Sequence, residues 1–287
     1  MSNDALLLTL GHNSSAILVK DGEIVCGYEN ERLTHKKSDS SFPLEAILEI
    51  KKHYHVSKDI DIFISHWFTD PEKPLNKQGK WYSEAIMDTL FPNSKIYTLS
   101  KNFTHHDAHA YSVDCFCGEG MPVDTFTIVA DGFGSYGETM SIYGPGLKLL
   151  HRSFGFRTSL GLMYQYATSY LDMKENQDEY KLLGYEAHIQ EIGLSHDQWD
   201  TLTEMIEAEI QWMLASILVP NFDAEYDPVV SISALPATKE FWRDRLSMVI
   251  DSLELEDDSY KEKVVISFYV QSVIEQVLVR IIEKYKI

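Results

Sequence analysis

Three features of the 287-residue sequence predict an α/β fold built from two lobes. Short apolar strands alternate with helices over the first hundred residues, a second group of strands begins near residue 124, and helical periodicity dominates after residue 158. The β-β-β-α-β-α order of the first part is that of the ribonuclease-H-like unit of actin-like and sugar-kinase folds. We therefore predict a two-lobed fold of this class; two unrelated strand meanders are the alternative.

The first lobe is predicted to occupy residues 1–120 and to begin with three antiparallel strands. The apolar runs are "ALLLTLG", "SAILVK" and "EIVCGYE", and Asp21-Gly22 between the last two is a strong signal for a tight hairpin. After Phe42-Pro43 we expect a helix ("LEAILEIKKHY"), a strand ("DIDIFISH"), a helix ("EAIMDTLF") and a short strand ("KIYTL"). The histidine-rich stretch "NFTHHDAHAYS" then begins a further helix.

The second lobe is predicted to occupy residues 121–287 and to be helix-rich. A β-meander is expected over residues 124–156, with a glycine-rich turn after "TFTIVAD" and a second turn at Gly144-Pro145-Gly146. Four later segments fit helical periodicity, and only "PVVSISAL" is compatible with an extended segment. Because the sequence stops after the last helix, we expect this lobe to lack the C-terminal strands that would complete its sheet.

The composition excludes several classes of function. With 44% apolar and 24% charged residues the chain has a globular profile, and its net charge of −19 disfavours broad binding to DNA or RNA. A local pocket for a small phosphorylated ligand is still compatible with that charge. Three cysteines argue against a disulfide framework, and neither a long apolar span nor a basic leader is evident. We therefore expect a cytoplasmic location without a membrane partner.

The histidine-rich stretch contains a candidate metal site. His105 and His109 are spaced i, i+4, so they share one face of a helix and their ring nitrogens are able to converge on one ion. Asp131 ends an apolar strand, where a carboxylate is costly unless it is exposed, paired or bound to a cation. Two imidazoles and a carboxylate suit iron, manganese or zinc. A pair of surface histidines is the alternative, and His106, on another side of the helix, is a candidate catalytic residue.

The first turn, "GHNSSA", contains a second set of candidates. His12 is a candidate base or hydrogen-bond donor near an acceptor hydroxyl, or else a residue that caps the end of a strand. Ser14 and the backbone N–H groups of this turn are candidates for binding an anion. Arg32 and Lys36 follow the third strand, and they form either a local patch for a phosphorylated substrate or a solvated loop.

A third set of candidates lies in the second lobe. Gly132 and Gly134 belong to a glycine-rich turn of the kind that binds phosphate, although a single such turn is a weak signal. Lys174, Glu179 and Lys181 form a charged cluster after the helix "SLGLMYQYATSYL". This cluster is a candidate nucleotide or acceptor site, and a structural ion pair explains the same residues equally well.

Several blocks between Leu6 and Gly184 resemble one family, the O-carbamoyltransferases of the nodulation and antibiotic-tailoring type. The blocks are "GHNSSAILVKDGEIVCGYENERLTHKKSDSSFP", "HHDAHA", "VADGFG" and "SLGLMYQYATSYLDMKENQDEYKLLG". Family members read approximately G-H-D-x-S-A, E-E-E-R, F-P, H-H-x-x-H-A, D-G and S-L-G-x-x-Y followed by E-x-K-x-M-G, in the same order. The chain departs from this pattern at Asn13, where the family usually has Asp, and at "GYEAHI", where members tend to read G-L-A-P-Y-G.

The resemblance implies transfer of a carbamoyl group from carbamoyl phosphate to an acceptor hydroxyl. In the family ATP is consumed, and a YrdC-like domain makes a carbamoyl-adenylate that the main domain uses. The family is also similar to the threonylcarbamoyladenosine tRNA-modifying protein in its main domain. By this resemblance His105, His109 and Asp131 are metal ligands, with Fe(II) first and manganese or zinc as alternatives, and Glu179 and Lys181 match the family's E-x-K.

The sequence does not contain the G-G-V-x-x-N segment that contacts nucleotide in the family, a further metal-binding aspartate, or a YrdC-like domain. We therefore expect a second polypeptide to supply them and the chain to be inactive alone. Two other classes stay open: a tRNA-modifying or sugar-kinase-like enzyme on the same fold, and a non-catalytic metal-binding or regulatory remnant of the family.

Overall fold

The computed structural model describes residues 4–11, 13–66, 85–99, 103–116, 122, 124–134, 137–219, 228–255 and 258–285. The chain divides into two compact units, Met1–Ala108 and His109–Ile287. This division falls inside the helix that contains the histidine-rich stretch, earlier in the chain than the 120/121 boundary expected from the sequence.

The first unit is built on a five-stranded mixed sheet with the strand order β3-β2-β1-β4-β5. β1 pairs antiparallel with β2 and β2 with β3, whereas β4 is parallel to β1 and β5 is parallel to β4. This is the sheet of a ribonuclease-H-like unit, so the predicted fold class is confirmed. The strands are β1 Ala5–Leu10, β2 Ser15–Lys20, β3 Glu23–Glu29, β4 Asp61–His66 and β5 Ile96–Thr98.

The β2–β3 hairpin and the helix packed on the sheet follow from local sequence. Asp21 and Gly22 both have positive φ angles, 50° and 86°, as the predicted tight turn requires. Helix α1, Asn30–Thr34, was not predicted, and helix α2, Leu44–His53, begins directly after Pro43. Helix α2 packs its apolar side on one face of the sheet, and residues 85–90 are also helical. The buried residues of this core include Leu6, Leu8, Leu18, Ala46, Ile47, Ile50, Ile62, Ile64 and Met87.

Helix α3, His105–Phe116, follows the first sheet, and a three-stranded antiparallel meander comes next. Its strands are β6 Thr127–Ala130, β7 Glu138–Gly144 and β8 Lys148–Phe154. Gly146, in the turn between β7 and β8, has a φ of 68°, which glycine adopts without steric cost. The second meander was therefore predicted correctly from its turn signals.

The rest of the second unit is helical and contains the larger core. The helices are α4 Leu160–Tyr170, α5 Tyr180–Glu186, α6 His196–Ile217, α7 Pro228–Ser252 and α8 Ser259–Tyr285. Helix α6 begins with a capping box in which the side chains of Ser195 and Gln198 satisfy each other's backbone N–H groups. The segment "PVVSISAL" is helical, so an extended conformation there was wrong. A short apolar run has no periodicity that distinguishes a strand from a helix.

Helix α8 is apolar because it lies in this core. By length and composition it could cross a membrane, since an 18-residue window reaches a mean hydropathy of 1.5. In the structure Val265, Val270, Val273, Val277 and Ile281 are buried with the other core residues of the second unit. A core helix passes the same composition test, so packing accounts for the apolar character of α8.

Candidate metal site

Helix α3 presents two imidazoles one turn apart, and a carboxylate lies next to them. The candidate ligand atoms of His105, His109 and Asp131 all lie within 4.8 Å of one another. His109 is exposed, and His105 and Asp131 are partly buried. The helical spacing of the two histidines and the strand-end position of Asp131 therefore selected three residues whose ligand atoms the fold brings together.

The turn after β6 fixes the position of Asp131. The N–H of Asp131 donates to the carbonyl of Thr139 at 3.2 Å, and its carboxylate accepts from the N–H of Gly132 at 2.6 Å. The N–H of Gly134 donates to the carbonyl of Glu138 at 2.6 Å, and Gly137 has a φ of 73°. The turn is therefore closed by its own hydrogen bonds, and glycine at position 137 permits it.

The three side chains fit a divalent ion. Bonds from such an ion to imidazole nitrogen or carboxylate oxygen are about 2.1 Å long, so two ligand atoms on one ion are separated by at most about 4.2 Å. The observed upper limit of 4.8 Å is close to this value. Small side-chain rotations would bring His105, His109 and Asp131 to binding distance, and the donor set suits iron, manganese or zinc.

Asp107 caps helix α3. The N–H of Thr104 donates to the Asp107 carboxylate at 2.8 Å, and the N–H of Asp107 donates to the Thr104 hydroxyl at 3.4 Å. This reciprocal pair is a capping box, which the pattern "THHD" allows to be recognised from sequence because the acidic residue follows Thr by three positions. The cap sets His105 as the first residue of the helix. It therefore also determines the direction in which the shared face of His105 and His109 points.

His106 is fully buried, on the same side of α3 as the buried Ala110. Ala110 packs with Val129 and Tyr143 in a small core cluster of the second unit. The imidazole of His106 therefore lies inside the protein in this structure, and a catalytic role for it stays a prediction.

The first turn contains one candidate that the structure describes, Ser14; His12 lies outside the described residues. Ser14 is buried, and both its hydroxyl and its N–H donate to the carbonyl of Asp39, at 3.1 and 3.0 Å. Its hydroxyl therefore donates within the turn, and contact of Ser14 with an anion stays a prediction. Asn13 has a φ of 62°, a left-handed conformation that Asn tolerates.

Asp39 is the centre of the network that supports this turn. Its carboxylate accepts from the Thr34 hydroxyl at 2.7 Å, from the Asn30 side chain at 3.2 Å and from the N–H of Ser41 at 3.0 Å. The hydrogen bonds from Thr34 and Ser41 lower the pKa of Asp39 to about 2. The sequence contains no local signal for this network, because it joins the first turn, helix α1 and the segment after α1.

Asp39 should make the stability of the protein depend on pH. Its pKa is lowered by folding, so its stabilising effect is present above about pH 4 and is lost as the pH falls toward 2. We expect Asp39→Asn to lower the urea midpoint at pH 5 and to approach wild type near pH 2.5. Asp88→Asn, at an exposed position in the same unit, is the matched control. A constant difference between wild type and Asp39→Asn at all pH values would contradict this account.

The cationic candidates of the first unit are on the surface. The Arg32 side chain is 74% exposed and pairs with Glu29 at 3.1 Å and Glu31 at 3.6 Å. Lys36 is also exposed. Their exposure is that expected of a solvated loop, which was the alternative to a binding patch. Binding of a phosphorylated substrate by Arg32 and Lys36 stays a prediction.

The charged cluster after α4 forms a closed local turn. Lys181 pairs with Asp178 at 2.8 Å, and the carboxylate of Asp178 also accepts from the N–H of Lys174 at 3.0 Å. Glu179 accepts from the backbone N–H of Asn176. The ion-pair alternative therefore applies to Lys181, with Asp178 as the partner, and nucleotide binding by the cluster stays a prediction.

The N–H groups of Gly132 and Gly134 both donate within their own turn, to Asp131 and Glu138. A turn that binds phosphate presents such groups to its ligand. The structure therefore assigns these two N–H groups to the shape of the turn, and the predicted phosphate contact would require them to reorganise.

The protein is thus an α/β protein with a ribonuclease-H-like sheet and a candidate metal site of two histidines and an aspartate. The family model described as Carbamoyltransferase N-terminus matches residues 73–285, which is most of the chain. The chain belongs to this family.

Two curated proteins are similar to this chain. The uncharacterized protein sll1178 of Synechocystis sp. is 29% identical over 208 residues, which are 60% of this chain and 32% of that protein. Nodulation protein NolNO of Sinorhizobium fredii is 26% identical over 192 residues, which are 61% of this chain and 28% of that protein. The chain thus matches about a third of the length of these relatives.

Two solved structures align with the chain at low similarity. A Porphyromonas gingivalis protein assigned as an N-acetylglucosamine kinase is 14% identical, with a TM-score of 0.32 and coverage of 96% of this chain and 91% of that chain. The PPX-GPPA enzyme of Aquifex aeolicus is 12% identical, with a TM-score of 0.31 and coverage of 96% and 93%. At these TM-scores the alignments support no conclusion about function.

Proposed function

We propose that this chain is the N-terminal part of an O-carbamoyltransferase that moves a carbamoyl group from carbamoyl phosphate to the hydroxyl of a small acceptor. The observation that carries the proposal is the cluster of His105, His109 and Asp131 in a chain that belongs to the carbamoyltransferase N-terminus family. ATP is the proposed co-substrate, because the resemblance implies a carbamoyl-adenylate.

His105, His109 and Asp131 would hold the metal ion, with Fe(II) as the first candidate. When bound, such an ion supplies Lewis-acid polarisation of a carbonyl or phosphate oxygen. The Asp131 carboxylate offsets part of the positive charge, and the two imidazoles supply neutral nitrogen ligands. The hydrogen bond from the N–H of Gly132 holds the carboxylate in one orientation before any ion arrives.

The proposed activity needs protein beyond these residues. The matched segment covers only 32% and 28% of the two curated relatives, and the resemblance implies a nucleotide-binding segment and a YrdC-like domain in the remainder. We propose that a second polypeptide supplies both, and that the assembled protein works in the cytoplasm.

A transfer assay tests the proposal. The purified chain is incubated with radiolabelled carbamoyl phosphate, ATP, Fe(II) and a panel of sugar, nucleotide and antibiotic hydroxyl acceptors. The assay is run with and without a co-purified polypeptide that carries a YrdC-like domain. We expect label transfer only in the presence of that partner, and none when the chain carries His109→Ala.

Three outcomes would contradict parts of the proposal. Transfer by the chain alone would remove the need for a partner. Use of threonylcarbamoyl-adenylate instead of carbamoyl phosphate would favour a tRNA-modifying component. The absence of transfer with every partner and acceptor, together with intact metal binding, would favour a non-catalytic metal-binding protein descended from the family.

A further inference from the structure

The start of helix α4 lies against the peptide that follows Asp131. Ser159 is the N-cap of this helix, and it is fully buried. Its hydroxyl lies 2.6 Å from the carbonyl oxygen of Gly132 and 3.0 Å from that of Asp131, and it accepts from the N–H of Leu162 at 3.1 Å. One side chain therefore caps α4 and places its single hydroxyl proton between the two carbonyls of the turn at the candidate ligand, with the shorter contact to that of Gly132.

Gly161 permits this close approach. A Cβ at this position would lie 2.5 Å from the nitrogen and 2.7 Å from the Cα of Gly132, and 2.9 Å from the carbonyl carbon of Asp131. All three atoms belong to the backbone, so no side-chain rotation relieves the clash. To reach an ordinary van der Waals contact, the shortest distance would have to lengthen from 2.5 Å to about 3.4 Å, which moves one of the two segments by about 0.9 Å.

The segment that moves should be the turn and not the helix. Leu162, Met163, Tyr166 and Ala167 of α4 are buried in the large core of the second unit, and a close-packed core resists displacement. The turn has less packing around it, because Asp131 and Gly132 are only partly buried.

We infer that Ser159 and Gly161 are positioning residues that fix Asp131 as a metal ligand. This inference rests on the proposed metal site. Metal–ligand distances are specified to about 0.2 Å, so a displacement of about 0.9 Å at the Asp131 peptide is large for a site of three ligands. Replacement of groups that orient a ligand typically weakens metal affinity by about 10- to 100-fold.

Gly161→Ala tests the inference, with Gly184→Ala as its matched control. Gly184 is also helical, and a Cβ there meets nothing within 4 Å. The affinity for Co²⁺, an air-stable probe for Fe²⁺ sites, is measured by titration calorimetry on the full chain. We expect Gly161→Ala to raise the Kd for Co²⁺ by about 10- to 100-fold and Gly184→Ala to leave it within about 2-fold.

Ser159→Ala and Ser159→Thr provide an independent pair of variants. We expect Ser159→Ala to weaken Co²⁺ binding and Ser159→Thr to recover most of it, because Thr also caps helices through its hydroxyl. Circular dichroism and the thermal midpoint of the metal-free protein show whether each variant is folded. A lower midpoint with unchanged affinity would assign these residues to stability alone and overturn the inference.

The wild-type titration distinguishes failure of the proposed metal site from failure of the proposed positioning role. If wild type binds no Co²⁺, either alone or with the co-purified partner polypeptide, the proposed metal site is wrong, and the inference fails with it. If wild type binds Co²⁺ and the folded Gly161→Ala and Ser159→Ala variants bind it equally well, the metal site stands and only the positioning role is refuted.

Discussion

Replacement of both His105 and His109 by alanine is expected to abolish binding of a divalent metal. The two imidazoles are two of the three candidate ligands whose atoms lie within 4.8 Å of one another, so the variant keeps only the Asp131 carboxylate. Loss of a single orienting group weakens metal sites by about 10- to 100-fold, and loss of two ligands should exceed that range. Calorimetry with Co²⁺, and elemental analysis after loading with Fe(II), measure the effect.

A matched control removes two histidines elsewhere. His188 pairs with Glu191 at 2.8 Å and His196 lies 3.7 Å from Asp200, both on the surface, so each offers an imidazole next to a carboxylate. We expect His188→Ala/His196→Ala to bind Co²⁺ as wild type does. Stoichiometric metal in the His105→Ala/His109→Ala variant, or equal losses in both double variants, would contradict the assignment of the site.

The metal candidates could be selected from sequence because each lies at a position with a strong local signal. Helical periodicity places His105 and His109 on one face, and Asp131 ends an apolar strand, where a carboxylate is costly unless it is exposed, paired or bound to a cation. Whether these three residues meet depends on where strand β6 lies relative to helix α3, which periodicity does not encode. The structure brings their ligand atoms to within 4.8 Å of one another.

The supporting groups were not found from sequence for a physical reason. Both Asp39 and Ser159 make contacts with residues far along the chain. The backbone carbonyl of Asp39 accepts from Ser14, and the hydroxyl of Ser159 lies against the carbonyls of Asp131 and Gly132. A buried hydroxyl or carboxylate in a loop has the same sequence signature as an exposed one. Asp107 is different, because its partner Thr104 is local and the capping pattern is visible in the sequence.

An ion pair between a buried carboxylate, Glu209, and a partly exposed guanidinium, Arg245, joins three helices of the second unit and should have a large effect on stability. Glu209 of α6 is 3% exposed, and Arg245 of α7 donates to its Oε2 atom through Nε at 2.8 Å and lies 2.7 Å from it through Nη2. The hydroxyl of Tyr269 on α8 donates to the same oxygen at 3.0 Å. Burial, and then the charge of Glu209, raise the pKa of Tyr269, so its phenol remains a donor.

The guanidinium of Arg245 also packs against two aromatic rings. It lies 4.7 Å from the ring centre of Trp212 and 5.1 Å from that of Phe241. Three donor contacts converge on Oε2, while Oε1 of Glu209 is buried without a hydrogen-bond partner among the described residues. Only Arg245 and Tyr269 donate to the Glu209 carboxylate among the described residues, and Arg245 is the one cation of the two. Loss of Arg245 would therefore leave a poorly compensated negative charge inside the core.

Arg245→Met is expected to destabilise the second unit by about 3–5 kcal/mol, because the aliphatic side chain fills similar space but leaves Glu209 buried without its cation. The control is Arg243→Met on the same helix, where Arg243 pairs with Glu240 and both side chains are 60% exposed. Surface pairs of this kind contribute about 1 kcal/mol or less. Urea unfolding, followed by tryptophan fluorescence and by circular dichroism, measures both variants.

Glu209→Met in the Arg245→Met background separates the loss of packing from the loss of charge compensation. If the buried carboxylate is the source of the destabilisation, the double variant should be more stable than Arg245→Met, because no charge is then left in the core. Recovery should stop short of wild type, since the hydroxyl of Tyr269 has lost its acceptor. A double variant less stable than Arg245→Met would show that the cost comes from lost contacts with Trp212 and Phe241.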